Sequence, residues 1–307
     1  YYLMGHSLAR DLDLEYRRED IERTRREFSG GPSGVFLKRG VTFSGQPDPD
    51  QSRLFYGKSF VYPLFAAPFV AMFGTKGFYV LNSLLLALAF LCAYVFISAR
   101  SAVGVSLVLA AGFVFPTVVP VYWAWIAPEL FNFSLGLLAY FCWLYKFVAP
   151  PVASRRTIGR WEWANEALTW FRGPASDVVA AVIVGLLTFS KLTNALLGLP
   201  MGLWWLWKRE WKRAAIVAAG FALSAGLGFG ANLAISGEWN YQGGFDRRTC
   251  YNAFPLETPA AGLDVCEPRE TSKALTNVWF DPQMFWSNFR ANLGYFWIGR
   301  YGGMVAY

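Results

Sequence analysis

The chain has 307 residues, 55% of them hydrophobic and 18% aromatic, with 28 Lys and Arg against 21 Asp and Glu and a formal net charge of +7. A half-apolar composition alone is compatible with a soluble protein. Here, however, charges are nearly absent from 78–97, 103–121, 130–145 and 214–235 and crowd between them, which excludes an ordinary soluble domain and points to an integral, multi-pass membrane protein. The surplus cations then belong beside anionic lipid headgroups; no nucleic-acid motif accompanies them, and a single histidine, His6, excludes a His-based triad or a multi-histidine metal site within this chain.

In chain order, residues 1–59 are polar and read as a large first loop with short helices. Residues 3–14 have helical spacing of apolar positions, and 15–27 form a dense mixed-charge run suited to a solvated helix face with i,i+4 pairs. Glycine- and proline-rich stretches at 29–34 and 45–50 are loops. Residues 62–73 are apolar but short and contain Pro63 and Pro68, which fits an interfacial or re-entrant element better than a full span. Spans follow at 78–97, at 103–121 (broken near its end by Pro116 and Pro120) and from Pro128-Glu129 to 145. Residues 146–176 are polar, and Trp161, Trp163 and Trp170 suggest an interface-lying helix. The stretch 177–207 is too long for one span of about 20 residues and reads as two short spans separated by Lys191-Leu-Thr-Asn194. A last span occupies 214–235, and 237–307 is a second polar and aromatic segment. The expected fold is an all-α polytopic bundle of about six spans, divided as 1–59, 60–236 and 237–307. The start at Tyr1 and the end at Tyr307 in mid-pattern read as those of a fragment.

Short loops set the orientation. Arg100, the 146–172 group and 208–213 are basic and fall on one face, the cytoplasmic one. The first loop, the turn before Glu129 and the Lys191–Asn194 segment then share the opposite face. A lysine within apolar sequence is kept where it has a partner or reaches water, although a helix-end lysine that snorkels, with polar neighbours capping the next helix, accounts for the local sequence equally well. Glu129 suits a helix N-terminus and equally a cavity wall. Asp11 and Asp13 are spaced for general-base or metal-ligand work or for an N-cap. Lys58, at the junction of first loop and membrane, suits a phosphate or a headgroup. Cys92 and Cys142 lie in spans as packing residues, whereas Cys250 and Cys266 lie in a polar loop and can close a disulfide worth about 3 kcal/mol.

Five pieces, in order, carry a resemblance: Tyr2-Leu-Met-Gly-His-Ser-Leu-Ala-Arg-Asp-Leu-Asp-Leu14, Phe55-Tyr-Gly-Lys-Ser-Phe-Val-Tyr-Pro-Leu-Phe-Ala-Ala-Pro68, Ala127-Pro-Glu-Leu130, Ser190-Lys-Leu-Thr-Asn194 and Tyr295-Phe-Trp-Ile-Gly-Arg-Tyr-Gly-Gly303. Together they resemble the multi-spanning GT-C glycosyltransferases with protein O-mannosyltransferase-like and lipid A aminoarabinose-transferase-like members. The resemblance implies transfer of a sugar from a polyprenyl-phosphate carrier to a glycan, lipid or protein acceptor on the extracytoplasmic face, without a required cofactor but with a divalent metal left open. It implies that the main acidic motif falls before Tyr1, with Asp11 and Glu129 as the catalytic candidates inside this chain. Lys58, Lys191 and Arg300 would hold the donor phosphate, and Tyr62, Thr193 and Asn194 would line the cavity. Leu192 stands where the family often has proline. The rival class is a secondary transporter with its site near Lys191, since broken helices mark transport sites.

Overall fold

The computed structural model describes residues 1–29, 31–32, 34–42, 46, 53–149, 168–242, 248–250, 267–268 and 282–298. It is mostly helical and has two layers, an α/β cap and a helical bundle.

The cap begins with α1 (Tyr2–Arg10) and α2 (Arg18–Glu27). The mixed-charge run forms α2, with Arg18 bonded to Glu22 one turn on. Its first turn is closed by Asp20, which accepts the Arg17 backbone N–H. The apolar faces of both helices cover a sheet absent from the all-α expectation. Strands β1 (Val35–Arg39), β2 (Leu54–Tyr56), β3 (Arg248–Cys250) and β4 (Glu267–Pro268) pair antiparallel in the order β2-β1-β3-β4. Register places Leu37 opposite Tyr56 and Val35 opposite Cys250. Leu3, Met4, Ile21, Leu37, Leu54 and Tyr56 form the cap core. Cys250 is disulfide-bonded; its expected partner Cys266 lies outside the described residues. Cys92 and Cys142 are buried free thiols.

The bundle comprises α3 (Val61–Phe73), α4 (Lys76–Ser98), α5 (Val103–Val114), α6 (Val119–Ala124), α7 (Glu129–Val148), α8 (Ala175–Ser190), a 3-10 turn (Leu192–Gly198), α9 (Leu199–Trp207) and α10 (Trp211–Ser236). Three of them, α4, α7 and α10, are long and apolar enough to cross a membrane. The single span expected over 103–121 is two helices, because Pro116 cannot continue α5 and Pro120 sits in the first turn of α6. Lys191, in extended backbone, ends α8, and Pro200 opens α9. The stretch 177–207 thus divides at the expected place.

Helix α3 does not traverse the bundle, because both its flanks meet the cap. Before it, the Lys58 ammonium lies over the rings of Tyr1 and Phe36. After it, Thr75 donates to Glu27 and lies 3.1 Å from His6 Nε2. The remaining elements alternate between two ends. On the cap side lie Thr75, Glu129, Lys191 and Ser236, whose hydroxyl accepts from Lys38 of β1. On the far side Arg100 donates to the Phe147 and Val148 carbonyls, and Asp177 joins Lys146 and Arg213. Helices α8 and α10 approach closely because Gly185 faces the Phe221 carbonyl, where a Cβ would collide; small residues at such contacts let helix backbones pack. The last described helix is α11 (Pro282–Ile298).

Candidate functional site

A cavity of about 330 Å³ lies where cap meets bundle. Its cap wall includes Tyr2, Thr24, Phe36, Tyr56 and Lys58, and Ile126 of the bundle closes it. Lys58 is the one cation among these lining residues, with its ammonium 4.9 Å from the Tyr1 ring centre and 4.6 Å from that of Phe36. Such placement among aromatic faces stabilises a desolvated cation.

The turn that carries Ile126 and Glu129 is positioned by a residue that the sequence reading passed over. Asn82 of α4 is fully buried; its Nδ2 donates to the Trp123 carbonyl at 2.9 Å and the Trp125 carbonyl at 3.2 Å. Its Oδ1 accepts from the Tyr62 hydroxyl at 3.1 Å. Irregular backbone inside an apolar bundle needs such internal partners. A lone asparagine in a span was the available signal. Tyr62 is therefore a core residue, 0% exposed and edge-on to Phe131 and Tyr1, and not the cavity wall expected of it.

Lys191 and Glu129, 62 residues apart, are brought together: Lys191 Nζ donates to Glu129 Oε1 at 2.9 Å. Both are partly exposed, so the pair contributes at most about 1 kcal/mol and is open to exchange with another anion. Glu129 Oε2 is buried without a hydrogen-bond partner. Lys58 and Lys191 flank one contact, because Phe60 and Phe189 pack edge to face at 5.0 Å. Lys58 lines the cavity, whereas Lys191 and Glu129 do not; the pair shares with it the cap side of the bundle.

The other expected site residues lie elsewhere or act structurally. Asn194 donates to the Leu187 carbonyl at 3.0 Å, sealing the end of α8, and Thr193 is exposed beside it. Asp11 accepts Arg23 at 2.8 Å in an ion pair on the cap surface, and Asp13 accepts Ser7; neither lines the cavity. Arg300 lies outside the described residues. Among the described residues, no group of three or more His, Cys, Asp or Glu gathers to hold a metal.

The chemistry around the cavity is set by burial. Asp20, 2% exposed, has its carboxyl pushed up to about 6 by desolvation, against the opposing hydrogen bonds from the Arg17 backbone and the Tyr56 hydroxyl. Burial also holds the His6 imidazole below its usual range. Tyr2 donates to Glu27 at 2.6 Å, and its phenol is pushed up to about 12 by desolvation and by that carboxylate. Comparison with models of known families, with curated proteins and with solved structures finds no match for this chain.

Proposed function

We propose that this chain is a multi-pass membrane glycosyltransferase that moves a sugar from a polyprenyl-phosphate carrier to an acceptor at the cap side, which is the extracytoplasmic face. The observation that carries the reading is on the cap side: an aromatic cavity lined by Lys58, and the Lys191–Glu129 pair at the cap-side helix ends, with Phe60 and Phe189 packed between the segments that carry the two lysines. A lipid-linked reaction needs its polar groups at the membrane surface, beneath a folded cap. A transporter needs them near the bilayer midplane, and Lys191 and Glu129 lie instead at helix ends. The far-side cations Arg100, Lys208, Arg209, Lys212 and Arg213 agree with a cytoplasmic far side. Helices α4, α7 and α10, with the shorter α5–α6, α8 and 3-10–α9 pieces, then make about six passes.

In the proposed reaction an acceptor hydroxyl oxygen bonds to the anomeric carbon as the bond from that carbon to the phosphate oxygen breaks. The bonding electron pair leaves with the polyprenyl phosphate, and the hydroxyl proton goes to a carboxylate. Lys58 and Lys191 stabilise the charge that develops on the leaving phosphate. Glu129, paired with Lys191 at 2.9 Å, is the carboxylate assigned to take that proton.

The test is the complete protein in liposomes with radiolabelled polyprenyl-phosphate sugars, following acceptor-dependent loss of label from the lipid. Lys58→Ala and Lys191→Ala should each insert normally and lose about 100-fold in transfer. Wild-type turnover in both variants removes the phosphate-binding roles. Absence of release across a broad donor panel by folded protein, together with substrate movement across the bilayer, establishes the transporter reading instead.

A further inference from the structure

An apolar groove of about 520 Å³ runs along the bundle between α4, α5, α7 and the 3-10 turn. Phe96, Phe113, Leu137, Leu144 and Leu197 are among the side chains that line it, and no charged residue does. From Asn132 to Leu144 it follows α7 for about 18 Å at 1.5 Å per residue, slightly more than one leaflet of a hydrocarbon core about 30 Å thick. Its cap-side end is not apolar. Both amide atoms of Asn132 are buried there without a hydrogen-bond partner. Three residues earlier, on the same helical face, stands the equally unpartnered Glu129 Oε2. An orphaned buried polar group is costly, so a ligand that satisfies these atoms is favoured. By contrast, the Tyr140 hydroxyl in the groove wall is already used, donating to the Leu197 carbonyl at 3.0 Å.

We infer that this groove holds the hydrocarbon chain of the acceptor, and that the acceptor is a membrane lipid bearing a free hydroxyl. The inference rests on the glycosyltransferase reading for the word acceptor; the lipid site itself stands on the groove and its orphaned atoms. The pairing is chemical. A hydroxyl both donates and accepts, so it can donate to Glu129 Oε2 or Asn132 Oδ1 while accepting from Asn132 Nδ2. A phosphate offers only acceptors and would bring negative charge to a carboxylate oxygen, so the groove does not suit the head of the donor. The donor phosphate belongs with Lys58, on the cap side of the junction. A lipid entering from the cap-side leaflet places its chain against Leu137 and Phe96 and its hydroxyl one turn from the Glu129–Lys191 pair.

The experiment uses photoreactive probes on the complete protein in liposomes: a long-chain alcohol and a diacyl phosphatidylcholine, each with a diazirine in the chain. The expected result is saturable labelling of α4 and α7 peptides by the alcohol and weak labelling by the phospholipid. Asn132→Leu should lower alcohol labelling at least fivefold while raising thermal stability, because it removes an unsatisfied buried amide. Gly136→Leu fills the groove without touching the polar atoms. A Cβ at Gly136 meets Leu197 and Leu187 at 3.7 and 3.8 Å, ordinary contact distances; thermal unfolding is read on the leucine variant alongside labelling, and the folded variant should lose labelling. Equal labelling of wild type and both variants, or equal labelling by the two probes, overturns the site. Labelling on α4 and α7 without sugar transfer in any assay keeps the lipid site and sinks the glycosyltransferase reading. Transfer to soluble glycans or peptides alone, with labelling intact, sinks the acceptor assignment.

Discussion

Asp177 offers the sharpest energetic prediction, because the structure buries it completely and gives it two cations. It is 0% exposed; Lys146 Nζ stands 2.6 Å from Oδ1 and Arg213 Nη2 2.7 Å from Oδ2. These three residues come from α7, α8 and α10, so one carboxylate joins three helices at the far side. In Asp177→Ala the Lys146 ammonium, itself only 9% exposed, keeps the Gly173 carbonyl at 3.1 Å as its remaining acceptor. Arg213 retains the Trp205 face at 4.0 Å and Glu210 at 3.2 Å. An unpaired buried charge of this kind costs about 3–5 kcal/mol. Replacing both Asp177 and Lys146, as Ala and Met, removes the stranded charge and should recover most of that loss. The assay is reversible denaturant unfolding in detergent micelles across the double-mutant cycle, with Glu129→Ala as the partly exposed reference. Glu129→Ala should cost at most about 1 kcal/mol. An Asp177→Ala cost no larger than that of Glu129→Ala, or a double variant worse than the sum of the singles, would refute the reasoning.

Three more outcomes follow from particular contacts. Asp20 has its carboxyl raised from 3.8 to about 6 in the folded protein, so the folded state binds the extra proton. Its contribution to stability is present below pH about 4 and is lost as pH rises through about 6, a span of up to about 3 kcal/mol. Asp20→Asn should flatten that part of a pH–stability profile, and an unchanged profile would contradict the assignment. His6 acts in the opposite sense. Its imidazole is held low by burial, so stability is lost as pH falls below the unfolded value near 6.5, and His6→Gln should remove that acid limb in the same titration. Gly185→Val drives a side chain into the Phe221 backbone. It should destabilise by about 3 kcal/mol or more, read as a lowered midpoint of thermal unfolding, whereas Gly136→Ala should be near neutral.

The sequence by itself determined the apolar helices and the places where they break. Charge-free runs long enough for hydrocarbon can only be helices, and proline or an isolated lysine interrupts them. Helices α4, α7 and α10 lie where the runs lie, and α8 ends at Lys191. The mixed-charge run was legible as α2 for an equally local reason, the i,i+4 pairing of Arg18 with Glu22. Strand pairing was not legible, because β1 finds β3 more than 200 residues later and short apolar runs carry no record of so distant a partner. Nor did the sequence assign Tyr62, which looked like a cavity residue beside Lys58 and is instead the buried partner of Asn82. Hydrogen-bond satisfaction depends on what lies across the packed interface, and that is a tertiary property. Only the three-dimensional arrangement joined Glu129 to Lys191, placed Lys58 between aromatic rings under the cap, and left Asn132 without a partner at the head of an apolar groove. Each of these depends on which side chains from remote segments face one another, and local residue order does not encode it.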